Sequence, residues 1–307
     1  MKRRTFISVF GGLTSSLLLL PETWRSPAQA SLVPRDFVGP LIPRSMRPLI
    51  AFRKQTSIRN PLASADNAIV DNLAGKTSNE ETVPAKQIIL TGERAKTFQS
   101  VLARLARLQA YVGYGNFNVI GWDQSLRVAA ARSNIGRFSK TELDFIEELF
   151  FTDARSLGFY GDKVITRLSD TIAINDIRKI PGSGHYLFRG ESRAIYEKIR
   201  SDLGDSIVLT SGIRGVVKQI YLFLNKAARV GGNLSLASYS LAPPGHSYHA
   251  IGDFDVGKRN FGEKNFTEEF TATDEFKRLS DLGYVDIRYP QSNPFGVRYE
   301  PWHIKVV

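Results

Sequence analysis

Three of the four histidines in this 307-residue chain stand in two short segments, each beside carboxylates. One is Pro244-Gly245-His246-Ser247-Tyr248-His249-Ala250-Ile251-Gly252-Asp253-Phe254-Asp255, and the other is Glu300-Pro301-Trp302-His303. A catalytic zinc takes three protein ligands from His, Asp, Glu or Cys and keeps a further position for water. Cysteine is absent, so thiolate ligands, thiol nucleophiles and disulfides are excluded and any metal must use imidazole and carboxylate. His249, Asp255 and His303 meet that requirement, with Glu300 as the base that takes a proton from water. The alternative is structural: His246 and His249 as loop residues beside a Pro-Gly turn, and His303 packed on a strand under Trp302.

The same residues resemble a known family. Pro-Gly-x-Ser-x-His-x-x-Gly followed by an aspartate, and a late Glu-Pro-Trp-His, are motifs of the zinc D-alanyl-D-alanine carboxypeptidases, which include the vancomycin-resistance D,D-carboxypeptidases. A third motif, Ser211-Gly212-Ile213-Arg214 followed by Gln219, resembles the family's Ser-Gly-Tyr-Arg with its downstream Gln. The resemblance covers about residues 205 to 307. It implies zinc on His249, an aspartate and His303, Glu300 as general base, and substrate contacts from Arg214, Gln219 and Ser247. It also implies an α+β domain whose small antiparallel sheet carries the zinc site. The chain departs from the pattern in two places. Ile213 stands where the family has an aromatic, and five residues separate His249 from Asp255 where the family has six. Asp253 and Asp255 would share a face of a strand, so either can reach the metal, and His246 with Asp253 forms an alternative register. Ser247 and Gly252 align only with His249, and Val256-Gly257 follows Asp255 as in the family.

Upstream, residues 1 to 30 read as an export signal. Lys2, Arg3 and Arg4 precede an apolar run from Ile7 to Leu20, and Ala28-Gln29-Ala30 is a small-x-small cleavage site. Arg3-Arg4-Thr5-Phe6-Ile7 resembles a twin-arginine signal. The expected address is therefore the periplasm or cell envelope, with an uncleaved N-terminal anchor as the alternative. Residues 31 to 86 are rich in Pro, Ser and Asn and read as a linker or loosely packed arm. The formal charge is +11. A basic surface there suits a polyanionic neighbour such as cell wall or lipid headgroups. No motif of nucleic-acid recognition accompanies it.

Residues 87 to 190 read as a mainly helical accessory region that buttresses the rest. Phe98, Val101, Leu102, Leu105, Leu108 and Val112 recur at helical steps, which predicts a helix over Thr91–Val112. Ser139 and Glu142 have capping-box spacing ahead of a second. Asn118 to Trp122 reads as a short extended piece, and His185 as an ordinary surface residue of a glycine loop. From 191 to 307 the catalytic part is expected to hold helices over Glu191–Leu203, Gly215–Arg229 and Thr273–Leu282. Strands are expected over Ser206–Thr210, Tyr284–Tyr289 and from Val297 onward. Glu300 and His303, three apart, reach one site only if the chain bends between them.

The expected activity is removal of the C-terminal residue from peptidoglycan stem peptides. An L,D-carboxypeptidase or peptidoglycan endopeptidase on the same zinc, a non-catalytic wall-binding module, and an envelope assembly protein are the alternatives.

Overall fold

The computed structural model describes residues 87–307. The export signal expected over 1–30 and the arm expected over 31–86 lie outside the described residues.

The described chain opens with α1 (Gly92–Val112), which buries the expected stripe of Phe98, Val101, Leu105, Leu108 and Val112 and stops at Gly113. There follow α2 (Tyr114–Phe117), α3 (Trp122–Ala131) and α4 (Lys140–Phe151). The expected capping box is present: Ser139 Oγ accepts from the Glu142 N–H, and the Glu142 carboxylate accepts from the Ser139 N–H. The extended piece expected at 118–122 is not a strand. Asn118 closes α2, and Trp122 opens a helix whose buried positions are mostly polar or small, Gln124, Ser125 and Ala129, too weak a stripe to register as periodicity.

A two-stranded antiparallel hairpin, β1 (Ile177–Lys179) and β2 (Tyr186–Phe188), precedes α5 (Glu191–Leu203). Next come β3 (Ile207–Ser211), α6 (Val216–Arg229), α7 (Leu234–Ser240), β4 (Phe254–Lys258), α8 (Asp274–Asp281) and β5 (His303–Ile304). The sheet order is β3-β4-β5, antiparallel throughout. On β4, Phe254 and Val256 point into the core, leaving Asp255 on the other face.

The strand expected over Tyr284–Tyr289 is reduced to a single bridge, Ile287 to Ile304. The segment still runs beside the C-terminus, with Lys305 N–H donating to the Asp286 carbonyl and Glu300 N–H to that of Tyr289. Pro290 and Pro301 cannot donate, and the chain turns at Glu300, so no regular ladder forms.

One hydrophobic cluster runs from Leu90 through Phe98, Phe150, Phe223 and Phe254 to Trp302 and Ile304, so the helical segment and the sheet share a core. The segment before residue 190 also braces the loop after β3. Ile213 N–H donates to the Tyr186 carbonyl (2.9 Å) and Gly215 N–H to that of Asn118 (2.7 Å). Gly212 lies so close to Tyr186 that a Cβ there would collide with its carbonyl oxygen. His185, expected at the surface, is buried beside Asn118, with 3.4 Å between Nδ1 and Nδ2.

Candidate metal centre

Asp255 on β4 is the cross-strand partner of both Ser211 on β3 and His303 on β5, so the three sit side by side across the sheet. His249 comes from the single 3-10 turn Tyr248–Ala250 that leads into β4. Its backbone carbonyl accepts from the Arg214 N–H, which ties this turn to the end of β3. His249, Asp255 and His303 each offer one donor atom, and these atoms lie within 4.8 Å of one another. His249 Nε2 is 3.3 Å and His303 Nδ1 3.6 Å from Asp255 Oδ1.

Each of these groups is oriented from behind. His249 Nδ1 is 2.9 Å from the Gly212 carbonyl oxygen, so Nδ1 carries the proton and Nε2 keeps its lone pair. Asp255 Oδ2 accepts from Arg214 Nη2 at 2.6 Å, and Arg214 Nε donates to Ser211 Oγ at 2.9 Å. His303 Nε2 is 3.1 Å from Asp253 Oδ2, which leaves Nδ1 facing the other two. His249 Nε2 and Asp255 Oδ1 are buried and find no hydrogen-bond partner in the protein. Two orphaned acceptors turned toward His303 Nδ1 fit a cation that takes two nitrogens and an oxygen once Nδ1 gives up its proton.

Electrostatics sharpen this arrangement. Burial, with the Arg214 charge second, pushes the His249 pKa down to about 4. Burial alone would also lower His303. The hydrogen bonds to Asp253 and Glu300 outweigh it and raise the pKa to about 9. Burial works against ionising Asp255, yet His249 and Arg214 hold its carboxyl below the usual range.

Glu300 reaches the same site through a turn. His303 N–H donates to the Glu300 carbonyl at 3.1 Å, with Pro301 at the second position of the four-residue turn. This bend brings Glu300 Oε2 to 3.4 Å from His303 Nδ1. A cleft opens over the group, lined by Arg214, Ser247, His249, Asp255, Glu300 and His303 among others. Gln219 on α6 stands behind the wall and donates to the Ala242 carbonyl, and Ala242 lines the cleft. Asp255, not Asp253, joins the cluster, because Asp253 meets the far edge of the His303 ring. His246 turns away, its Nδ1 3.0 Å from the Asp162 carbonyl oxygen.

Sequence reading missed Arg298 and Arg288. Arg298, two residues before Glu300, lines the cleft with its guanidinium 5.0 Å over the Trp302 ring and its Nε without a partner. Arg288 grips Asp253 with two nitrogens. Position beside Glu300 was a signal for the first; nothing in the linear sequence marked the second.

No curated protein matches the chain. Among solved structures, it is similar to the LdcB LD-carboxypeptidase, described for its peptidoglycan recognition, at 25% identity over 42% of this chain and 62% of that one (TM-score 0.35). It is also similar to a variant of the vancomycin-resistance D,D-pentapeptidase VanY, from a VanB-type cassette and in complex with Zn(II). The identity is 21%, over 47% of this chain and 86% of that one (TM-score 0.35). The chain thus spans less than two thirds of the first of these proteins. The family model described as VanY, D-alanyl-D-alanine carboxypeptidase, matches residues 196–307. That match takes in β3, β4 and β5 with every residue of the metal cluster, so this part of the chain is similar to the VanY carboxypeptidases.

Proposed function

We propose that the chain is an exported zinc D,D-carboxypeptidase that removes the terminal D-alanine from peptidoglycan stem peptides. The observation that carries this reading is the convergence of His249 Nε2, Asp255 Oδ1 and His303 Nδ1, with Glu300 beside them, at the floor of one cleft. His249, Asp255 and His303 would hold the zinc, which when bound supplies Lewis acidity and lowers the pKa of a water toward neutrality. Glu300 accepts the proton of the attacking water and returns it to the leaving amine. Arg214 does two jobs in this scheme. It pins Asp255 and offers its remaining guanidinium N–H groups to the substrate's terminal carboxylate. Two of its nitrogens are already engaged, by Ser211 and Asp255, so a paired grip on a carboxylate needs a second donor. Ser247 and Arg298 on the same wall are placed to provide one. Gln219 acts at one remove, by bracing Ala242.

Defined muropeptides test the proposal. Release of D-alanine from a pentapeptide ending in D-Ala-D-Ala, with a tetrapeptide and a cross-linked dimer left intact, is the expected outcome. Cleavage of the tetrapeptide alone would replace it with an L,D-carboxypeptidase, and cleavage of the cross-link with an endopeptidase. Zinc binding with no cleavage of any would leave a wall-binding module.

A further inference from the structure

We infer that Asp253, Arg288 and the backbone of Val306 and Val307 form a lock that fixes which nitrogen of His303 faces the metal and sets how tightly the metal is held. The inference rests on the zinc reading of the site above. His303 belongs to a two-residue strand, too short for its ladder alone to fix a ring. Asp253 supplies what the strand lacks. Its side chain is fully buried, and its two oxygens receive five N–H groups. Oδ2 takes His303 Nε2 at 3.1 Å and Arg288 Nε at 2.8 Å. Oδ1 takes Arg288 Nη2 at 3.1 Å, Val306 N at 2.9 Å and Val307 N at 3.4 Å.

Arg288 is itself held on both sides, lying 3.9 Å over the Tyr248 ring and donating to the Val307 carbonyl. A carboxylate gripped by this many donors is fixed in place. It therefore holds a proton on His303 Nε2, keeps Nδ1 facing Asp255 and His249 as the atom left to meet the metal, and makes the imidazole a stronger donor. Asp253 and Arg288 touch neither substrate nor metal on this account; they are positioning residues.

The test is zinc affinity, measured by competition with a chromogenic chelator, together with the absorption spectrum of the cobalt(II)-loaded protein and the unfolding temperature of the metal-free protein. Asp253→Asn is expected to weaken zinc binding about 10- to 100-fold and to shift the cobalt spectrum. Arg288→Lys, which keeps the charge and loses the two-nitrogen fork, and a chain ending at Lys305 are expected to move both readouts the same way. They carry the test should Asp253→Asn fail to fold. Folded variants that bind zinc within about twofold of wild type, with an unchanged cobalt spectrum, would reduce the lock to a fold-stabilising role and overturn the inference. Wild type that binds no zinc would overturn the zinc reading and this inference with it, an outcome distinct from the first.

Discussion

Zinc loading should displace about one proton per chain at pH 6, and His303 should be its source. Metal ligands must be deprotonated to bind. His249, with its pKa pushed down to about 4 by burial and then Arg214, is neutral at pH 6 and releases nothing. His303 stands at about 9, because the hydrogen bonds to Asp253 and Glu300 outweigh the burial that opposes its charge. It enters as imidazolium. Asp255 is already ionised. At about 1.36 kcal/mol per pH unit, the distance from pH 6 to about 9 makes the displaced proton worth on the order of 4 kcal/mol against binding. Affinity should accordingly climb about tenfold per pH unit over the lower part of that range. Calorimetric titration at pH 6 in buffers of different ionisation heat reads the proton count directly, before a zinc-activated water contributes its own. A count near one is expected. A count near zero would mean that His303 is not charged by Asp253 and Glu300, and a count near two that His249 is not neutral; either refutes the reasoning.

Other consequences follow from single contacts. Lys226 is buried with Nζ unpartnered, and burial, with Arg298 second, draws its pKa down from 10.5 to about 7. A lysine depressed in the fold costs stability below its folded pKa, and the cost lapses as pH rises toward the unfolded value. Lys226→Met should therefore stabilise by up to about 5 kcal/mol at pH 6 and by little near pH 10; urea unfolding giving no gain at pH 6 would contradict this. Ser139→Ala removes the α4 cap and should cost about 1 kcal/mol in the same assay. Gly212→Ala must push Tyr186 away and disturb the carbonyl that orients His249. It should lower zinc affinity, measured by chelator competition, and a wild-type affinity would speak against that role.

The long helices were legible because their signals are local: the stripe of α1, the Ser139–Glu142 box of α4, and the glycines after α1 and α5 act within one or two turns. What proved illegible depends on distant partners. Trp122 to Ala131 buries small and polar residues, so no apolar stripe announces the helix. The last strands shrink because prolines and the Glu300 turn interrupt pairing that the β-branched and aromatic residues suggest. At the site, residue types and spacing brought out the two histidines, the glutamate and a choice of two aspartates. Between the aspartates the sequence could not see the register, in which Asp255 pairs across the sheet with His303 while Asp253 lies just before the strand. Arg288 could not be found in the sequence at all, because its place is defined only when residues 253, 288, 306 and 307 meet.

The central claim is that these residues hold a catalytic zinc with Glu300 as its base. Metal content, together with D-alanine release from a pentapeptide muropeptide, tests it most directly when wild type and Glu300→Ala are compared. The account predicts about one zinc per chain in both proteins, with release slowed about 10²- to 10⁴-fold in the variant. Wild type prepared with care that holds no stoichiometric metal would contradict it, and so would a Glu300→Ala protein that releases D-alanine at the wild-type rate.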